Sequence, residues 1–120
     1  MDKDEEIKTK NNVNGETCEE LLGKLNSPDS YVRSSAAWAL GELRDKRALK
    51  ALIKALHDRS PDVRWSAALA LGEIMDKRAL DALYMATKDR NIDVRKIARE
   101  AMQKIRETNG LQKGSLDHKQ

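Results

Sequence analysis

Few side chains in this sequence could do chemistry, and none is spaced for it. His57 and His118 are the two histidines and Cys18 is the single cysteine. A zinc site needs three or four such ligands converging on one point, and no pair here lies at ligand spacing. Cys18 has no histidine near it in the pattern to serve as its base. Gly41 and Gly72 stand alone within helical stretches, so they form no glycine-rich phosphate loop. Glu42 and Glu73 recur at a fixed interval, as an acid–base pair could, but their polar flank reads as solvated helix surface. The expectation is a chain that is not an enzyme and holds no metal and no cofactor.

Binding chemistry is better represented. Lys46-Arg47 and Lys77-Arg78 recur in register, with Arg59 and Arg90 at other turns. Repeated basic turns could track a phosphate backbone. Against that, each Lys-Arg follows an Asp, and the formal net charge is only +3 although 36% of the residues are charged. Nucleic-acid binding is therefore the runner-up. The large aromatics are the other candidate, because the chain has two Trp, two Tyr and no Phe.

The elements that must position these residues come from an internal duplication. Residues 32–62 and 63–93, compared position by position, are identical at 20 of 31 places. VRKIAREAMQKI from Val94 echoes the first half, and ETCEELLGKL from Glu16 echoes the second. The frame is three repeats, 16–46, 47–77 and 78–108. Val32, Ala36, Ala39, Leu40 and Leu43 form an apolar stripe at helical spacing, as do Val63, Ala67, Ala70, Leu71 and Ile74. Leu49, Leu52, Ile53 and Leu56 form the stripe of the other half, echoed by Cys18, Leu21, Leu22 and Leu25. Tyr84 falls at the place of Ile53 and is expected to be structural. Cys18 falls at the place of Leu49 and is expected to be a buried thiol.

Ser27-Pro28 and Ser60-Pro61 read as a cap followed by a first-turn proline. Asp45 and Asp76 read as caps of the helices after them. Six helices of about ten to fifteen residues result. Such hairpins bury their apolar faces by stacking, so the expected fold is an all-α solenoid of three helical hairpins. Gly41 and Gly72 would let neighbouring helices approach closely. In the third copy Arg99 and Gln103 replace the Ala and Gly, which suits a face that ends the stack in water; the array is expected to be complete at three repeats.

Asp62-Val63-Arg64, the Ala67-Ala68 pair, Leu71-Gly72, and Asp76 followed by Arg78-Ala79-Leu80 resemble the HEAT-like repeats of the phycobilisome-lyase type. The resemblance covers about 16–108 and implies a right-handed superhelix of antiparallel helix pairs. It also implies a polar ladder between repeats, to which Arg33, Arg64 and Arg95 correspond, with Asp45, Asp62, Asp76 and Asp93. Repeat one departs, since Tyr31 stands where Asp62 and Asp93 would. Metal enzymes of the deoxyhypusine hydroxylase kind need His-Glu pairs, which this chain lacks. A lyase-type accessory subunit is a second alternative implied by the resemblance alone.

Tyr31, Ser34, Trp38 and Glu42 share one flank of their helix. The same places hold Asp62, Trp65, Leu69 and Glu73, then Asp93, Lys96, Glu100 and Lys104. Here the copies disagree most while their buried neighbours agree, and resemblance places these positions on the concave surface. Tyr31, Ser34, Trp38, Trp65, Leu69 and Lys96 are therefore the expected contacts of a partner protein, with Tyr31, Trp38, Trp65 and Leu69 as one patch. No apolar run approaches the roughly 20 residues of a membrane span, and the first residues lack the apolar core of a signal peptide. A lone cysteine suits a reducing compartment. The expectation is a cytoplasmic monomer with polar, disordered tails at 1–14 and 109–120.

Overall fold

The Asn14-Gly15 pair makes the first turn among the described residues. Residues 12–110 are described by the computed structural model. Both turn residues have positive φ, 52° and 82°, as a two-residue hairpin of mirror-image turn type requires. They join β1 (Asn12–Val13) to β2 (Glu16–Thr17), with Val13 opposite Glu16. Asn12 and Val13 are therefore paired and Asn14 turns the hairpin, although the stretch 1–14 was expected to be a disordered tail. Val13 packs against the core, and β1 lies on the second helix. Asn109, at the start of the other expected tail, ends the last helix and donates to the Met75 carbonyl at 3.2 Å and the Ile105 carbonyl at 2.8 Å, while 1–11 and 111–120 fall outside the described residues.

Six helices follow: α1 (Cys18–Lys24), α2 (Ser30–Leu43), α3 (Leu49–Ala55), α4 (Pro61–Ile74), α5 (Leu80–Ala86) and α6 (Ile92–Thr108). Thr17 and Glu20 close a reciprocal capping box at α1, with 3.3 Å and 3.2 Å bonds between side chains and backbone amides. The odd-numbered helices have seven residues each, shorter than expected. In two of them Lys-Arg-Ala winds instead into a 3₁₀ turn ahead of the helix, capped by Asp45 or Asp76 at 2.9 Å. At α2 the expected cap also shifts. Asp29 takes the role at 2.8 Å from the Tyr31 amide, while Ser27 accepts from the Asp29 amide instead. Register explains this, because Asp29 aligns with Ser60 and Ser27 with Asp58. Ser60 holds the cap position of α4 with Pro61 in the first turn, but its hydroxyl makes no capping bond.

Each short helix packs on the long helix that follows it, and the long helices α2, α4 and α6 stack side by side. This is an all-α helical repeat fold. Leu21, Leu40, Leu52, Leu71, Leu83 and Ile105 are fully buried, as are Val63 and Val94. Cys18 is buried with them, and burial pushes its thiol pKa up, with the Asp45 carboxylate adding to the rise. A Cβ added at Gly41 would lie 2.6 Å from Ala70 Cα, and one at Gly72 would lie 3.0 Å from Ala101 Cβ. Bare backbone is thus what brings the long helices together. Arg99 and Gln103 are exposed on α6.

Tyr84 departs from expectation. Its side chain is 52% exposed, with the Lys88 ammonium 5.0 Å from the ring centre. A phenol hydroxyl needs a partner that this aliphatic core does not offer, so the ring turns to water where Ile53 packs inward.

Candidate interaction face

Arg33, Arg64 and Arg95 each lie in the first turn of a long helix and reach back to the turn before it. Arg33 donates to the Ser27 carbonyl at 2.9 Å, Arg64 to the Asp58 carbonyl at 2.8 Å, and Arg95 to the Asp89 carbonyl at 2.8 Å. Arg33 then reaches forward one repeat and grips the Asp58 carboxylate in a two-bond fork of 2.9 and 3.0 Å. Arg64 grips Asp89 in the same way at 2.9 and 3.2 Å. Both guanidinium side chains are 5% exposed. Burial works against the charged form of Asp58, but the Arg33 guanidinium and the Ser60 amide outweigh it and hold the carboxyl below its usual range. Asp89 is held down likewise, with Arg64 and the Asn91 amide overcoming burial.

The ladder thus exists, with different acids from those expected. Asp45 and Asp76 face their own neighbours: Arg47 closes on Asp45, and Arg78 on Asp76. Lys46 approaches Asp76 at 3.9 Å, so Asp76 also feels the preceding repeat. The Arg78 hydrogen bond is the main cause that lowers the Asp76 pKa to about 2. Asp62 and Asp93 are exposed and take no part in the ladder. The sequence signal for the true pair is the Asp of the repeated Asp58-Arg59 and Asp89-Arg90, which recurs in register with Arg33 and Arg64.

The long helices also carry the expected partner contacts, in differing surroundings. Tyr31 and Trp38 line an open groove of about 570 Å³ with Lys24, Ser35, and Asn14 and Glu16 of the β-hairpin. They are 77% and 44% exposed. Trp65, 36% exposed, lines a smaller hollow of about 230 Å³ with Pro61, Asp62, Asn91 and Asp93. The single aromatic patch is therefore split into two hollows. Ser34 lines the same groove as Tyr31 and Trp38, and there its hydroxyl shares a 2.8 Å bond with buried Ser66 and donates to the Asp62 carbonyl at 3.3 Å. Leu69 packs partly against the core, and Lys96 is exposed on α6. Glu73 is tied on both sides, to Lys104 at 2.7 Å and Arg44 at 3.3 Å, and the Lys104 bond lowers its pKa most. Glu42 is exposed. Two exposed apolar side chains, Met85 and Ile92, were missed because neither falls on a shared stripe.

The basic edge is largely answered by acid. Arg47 is bonded to both Asp45 and Glu19, the latter at 2.7 Å, and Arg78 is bonded to Asp76. Arg59 and Arg90 are exposed. Among the described residues, no three His, Cys, Asp or Glu side chains gather as a metal ion would require. No helix among them is long and apolar enough to cross a membrane.

A family model for HEAT repeats matches residues 18–103. The chain belongs to the HEAT-repeat family. The resemblance carried by Ala67-Ala68, Leu71-Gly72 and Arg78-Ala79-Leu80 is thereby borne out. This HEAT-repeat chain is similar to a chain in the complex of CpcE and CpcF of phycocyanin lyase from Nostoc sp. PCC7120. The identity is 30% and the TM-score 0.72, over 78% of this chain and 40% of that one. It is also similar to human deoxyhypusine hydroxylase in complex with glycerol, at 26% identity and TM-score 0.71, over 78% of this chain and 34% of that one. The HEAT-repeat chain thus spans less than half the length of either. No curated protein matches it.

Proposed function

We propose that this HEAT-repeat chain is a non-catalytic scaffold that holds another protein on the concave face formed by its long helices. The observation that carries the reading is the placement of Tyr31, Trp38 and Trp65. Each lies at a position where the repeats differ, and each opens to solvent in a hollow. Aromatic side chains half seated in a hollow are what interfaces use as anchors. A ring such as Tyr31, 77% exposed, adds little to folding that a lysine would not. The long helices supply a rigid base, stitched by the Arg33–Asp58 and Arg64–Asp89 forks. The similar phycocyanin lyase structure is itself a complex of two proteins, which supports a protein partner. It also favours a second reading, an accessory subunit of a lyase-type assembly.

Nucleic acid fits less well, because the recurring Lys-Arg turns are already answered by Asp45, Asp76 and Glu19. A lone, buried Cys18 suits a monomer working in the cytoplasm. The test is affinity capture from the native cell extract on the wild type and on Tyr31→Ala and Trp38→Ala variants, each checked for fold by its melting curve. A stoichiometric protein partner held by the wild type and lost by the folded variants is expected. A partner retained equally by both variants would refute the assignment of this face.

A further inference from the structure

The smaller hollow has a chemistry of its own. It is lined by Trp65 together with Asp62 and Asp93 from the first turns of α4 and α6, and by Pro61 and Asn91. Neither carboxylate makes a hydrogen bond or ion pair among the described residues. That sets them apart from Asp45, Asp58, Asp76, Asp89 and Glu73, each of which is held by a lysine or arginine. A first-turn position accounts for a carboxylate through the helix dipole, but not for a half-open indole that lines the same hollow. The imbalance extends over the face. Of its twelve positions, Glu42, Asp62, Asp93 and Glu100 are acids with no ion pair among the described residues, against Lys96 as the one such base. The chain as a whole carries +3, so its positive charge lies elsewhere.

We infer that this hollow receives an arginine side chain from a basic segment of the partner protein. The inference rests on the scaffold reading above and names the chemistry of the partner. A guanidinium is planar and stacks on an indole, while its edges donate to carboxylates on either side. A phosphate would meet two unneutralised carboxylates and be repelled, and an acidic peptide would fare no better. An ammonium satisfies the charge but not the flat wall, so arginine is preferred over lysine.

The experiment selects phage-displayed random peptides on the full chain and measures their binding by fluorescence anisotropy. Enrichment of arginine is expected. Replacing that arginine by the neutral isostere citrulline should weaken binding about tenfold, and the Asp62→Asn/Asp93→Asn variant should weaken it similarly, with the loss shrinking as salt rises. The citrulline arm reads the wild type and is independent of any variant's folding. Peptides that need Tyr31, Trp38 or Trp65 but show no basic enrichment, and bind the double variant equally, overturn this inference and leave the scaffold reading standing. Selection of no peptide that depends on those three aromatics overturns both. A labelled single-stranded oligonucleotide that binds the wild type, and binds Asp62→Asn/Asp93→Asn more tightly, overturns the inference in favour of nucleic acid.

Discussion

Three glycines in helices test the packing geometry, because the same substitution should have three different outcomes. Alanine is better than glycine in a helix by about 1 kcal/mol, so each Gly→Ala change starts with that gain. What differs is the space for the new methyl group. At Gly23 a Cβ meets nothing within 4 Å, so Gly23→Ala should stabilise by about 0.5–1 kcal/mol. At Gly72 the nearest atoms are Ala101 Cβ at 3.0 Å and Cα at 3.1 Å, a conflict of a few tenths of an ångström. Its overpacking cost of about 1 kcal/mol roughly cancels the propensity gain. At Gly41 the methyl group would lie 2.6 Å from Ala70 Cα and 2.8 Å from its Cβ. A backbone atom cannot rotate aside, so α2 must lift off α4 and the net loss should be about 1–2 kcal/mol. Urea unfolding followed by far-ultraviolet circular dichroism measures all three against wild type, provided the slopes agree. Ala70→Gly in the Gly41→Ala background should recover only part of the loss, since the 2.6 Å contact with Cα remains. Gly41→Ala as stable as Gly23→Ala would refute the close approach of the long helices.

The ladder predicts that Asp58→Ala costs about 2–4 kcal/mol, because it strands a nearly buried Arg33, whereas Asp93→Ala costs under about 1 kcal/mol; urea midpoints separate the two. The folded-state pKa values of Asp58, Asp76 and Asp89 lie below the unfolded value near 3.9. Their stabilisation is therefore complete above that value and lost as pH falls toward about 2, where folded Asp76 titrates; Asp76→Asn should flatten the thermal-melt profile in that window. Leu52→Ala and Leu83→Ala, both fully buried, should each cost about 2–5 kcal/mol by thermal or urea unfolding. Iodide should quench both tryptophans, yet Trp38→Ala and Trp65→Ala should still cost about 1–3 kcal/mol, since each indole is more than half covered.

Periodicity made the helices and their order legible because it reports a physical demand that every repeat shares. Leu52 and Leu83, or Val63 and Val94, must fill equivalent spaces, so the same residue recurs at the same offset. Gly41 and Gly72 were legible for the same reason, since a helix interior tolerates glycine where something else needs the room. The short helices were misjudged because Lys-Arg-Ala-Leu has good helical propensity throughout. Its first three residues instead wind as a 3₁₀ turn, in which the Ala48 and Ala79 amides donate to the Asp45 and Asp76 carbonyls three residues back at 3.0 Å. The β-hairpin was legible and overlooked: Asn14-Gly15 between Val13 and Glu16 is a strong short-range turn signal, and it lay just ahead of the repeat frame.

The site was less legible because its meaning depends on which charges find each other, and composition does not encode that. Asp58, Asp62, Asp89 and Asp93 all sit at or beside a turn, and all read from sequence as ordinary polar punctuation. In the fold, two of them end against buried guanidinium groups and two are left facing water. The difference follows from direction. Asp58 and Asp89 precede the long helix, where the arginine of the preceding repeat reaches forward and arrives from the inner side of the stack. Asp62 and Asp93 lie inside the first helical turn, exposed to solvent, and line one hollow with Trp65. A shift of four residues along the chain therefore separates a carboxylate that holds repeats together from one that faces water. The register of the repeat and the path of a long side chain draw that boundary together.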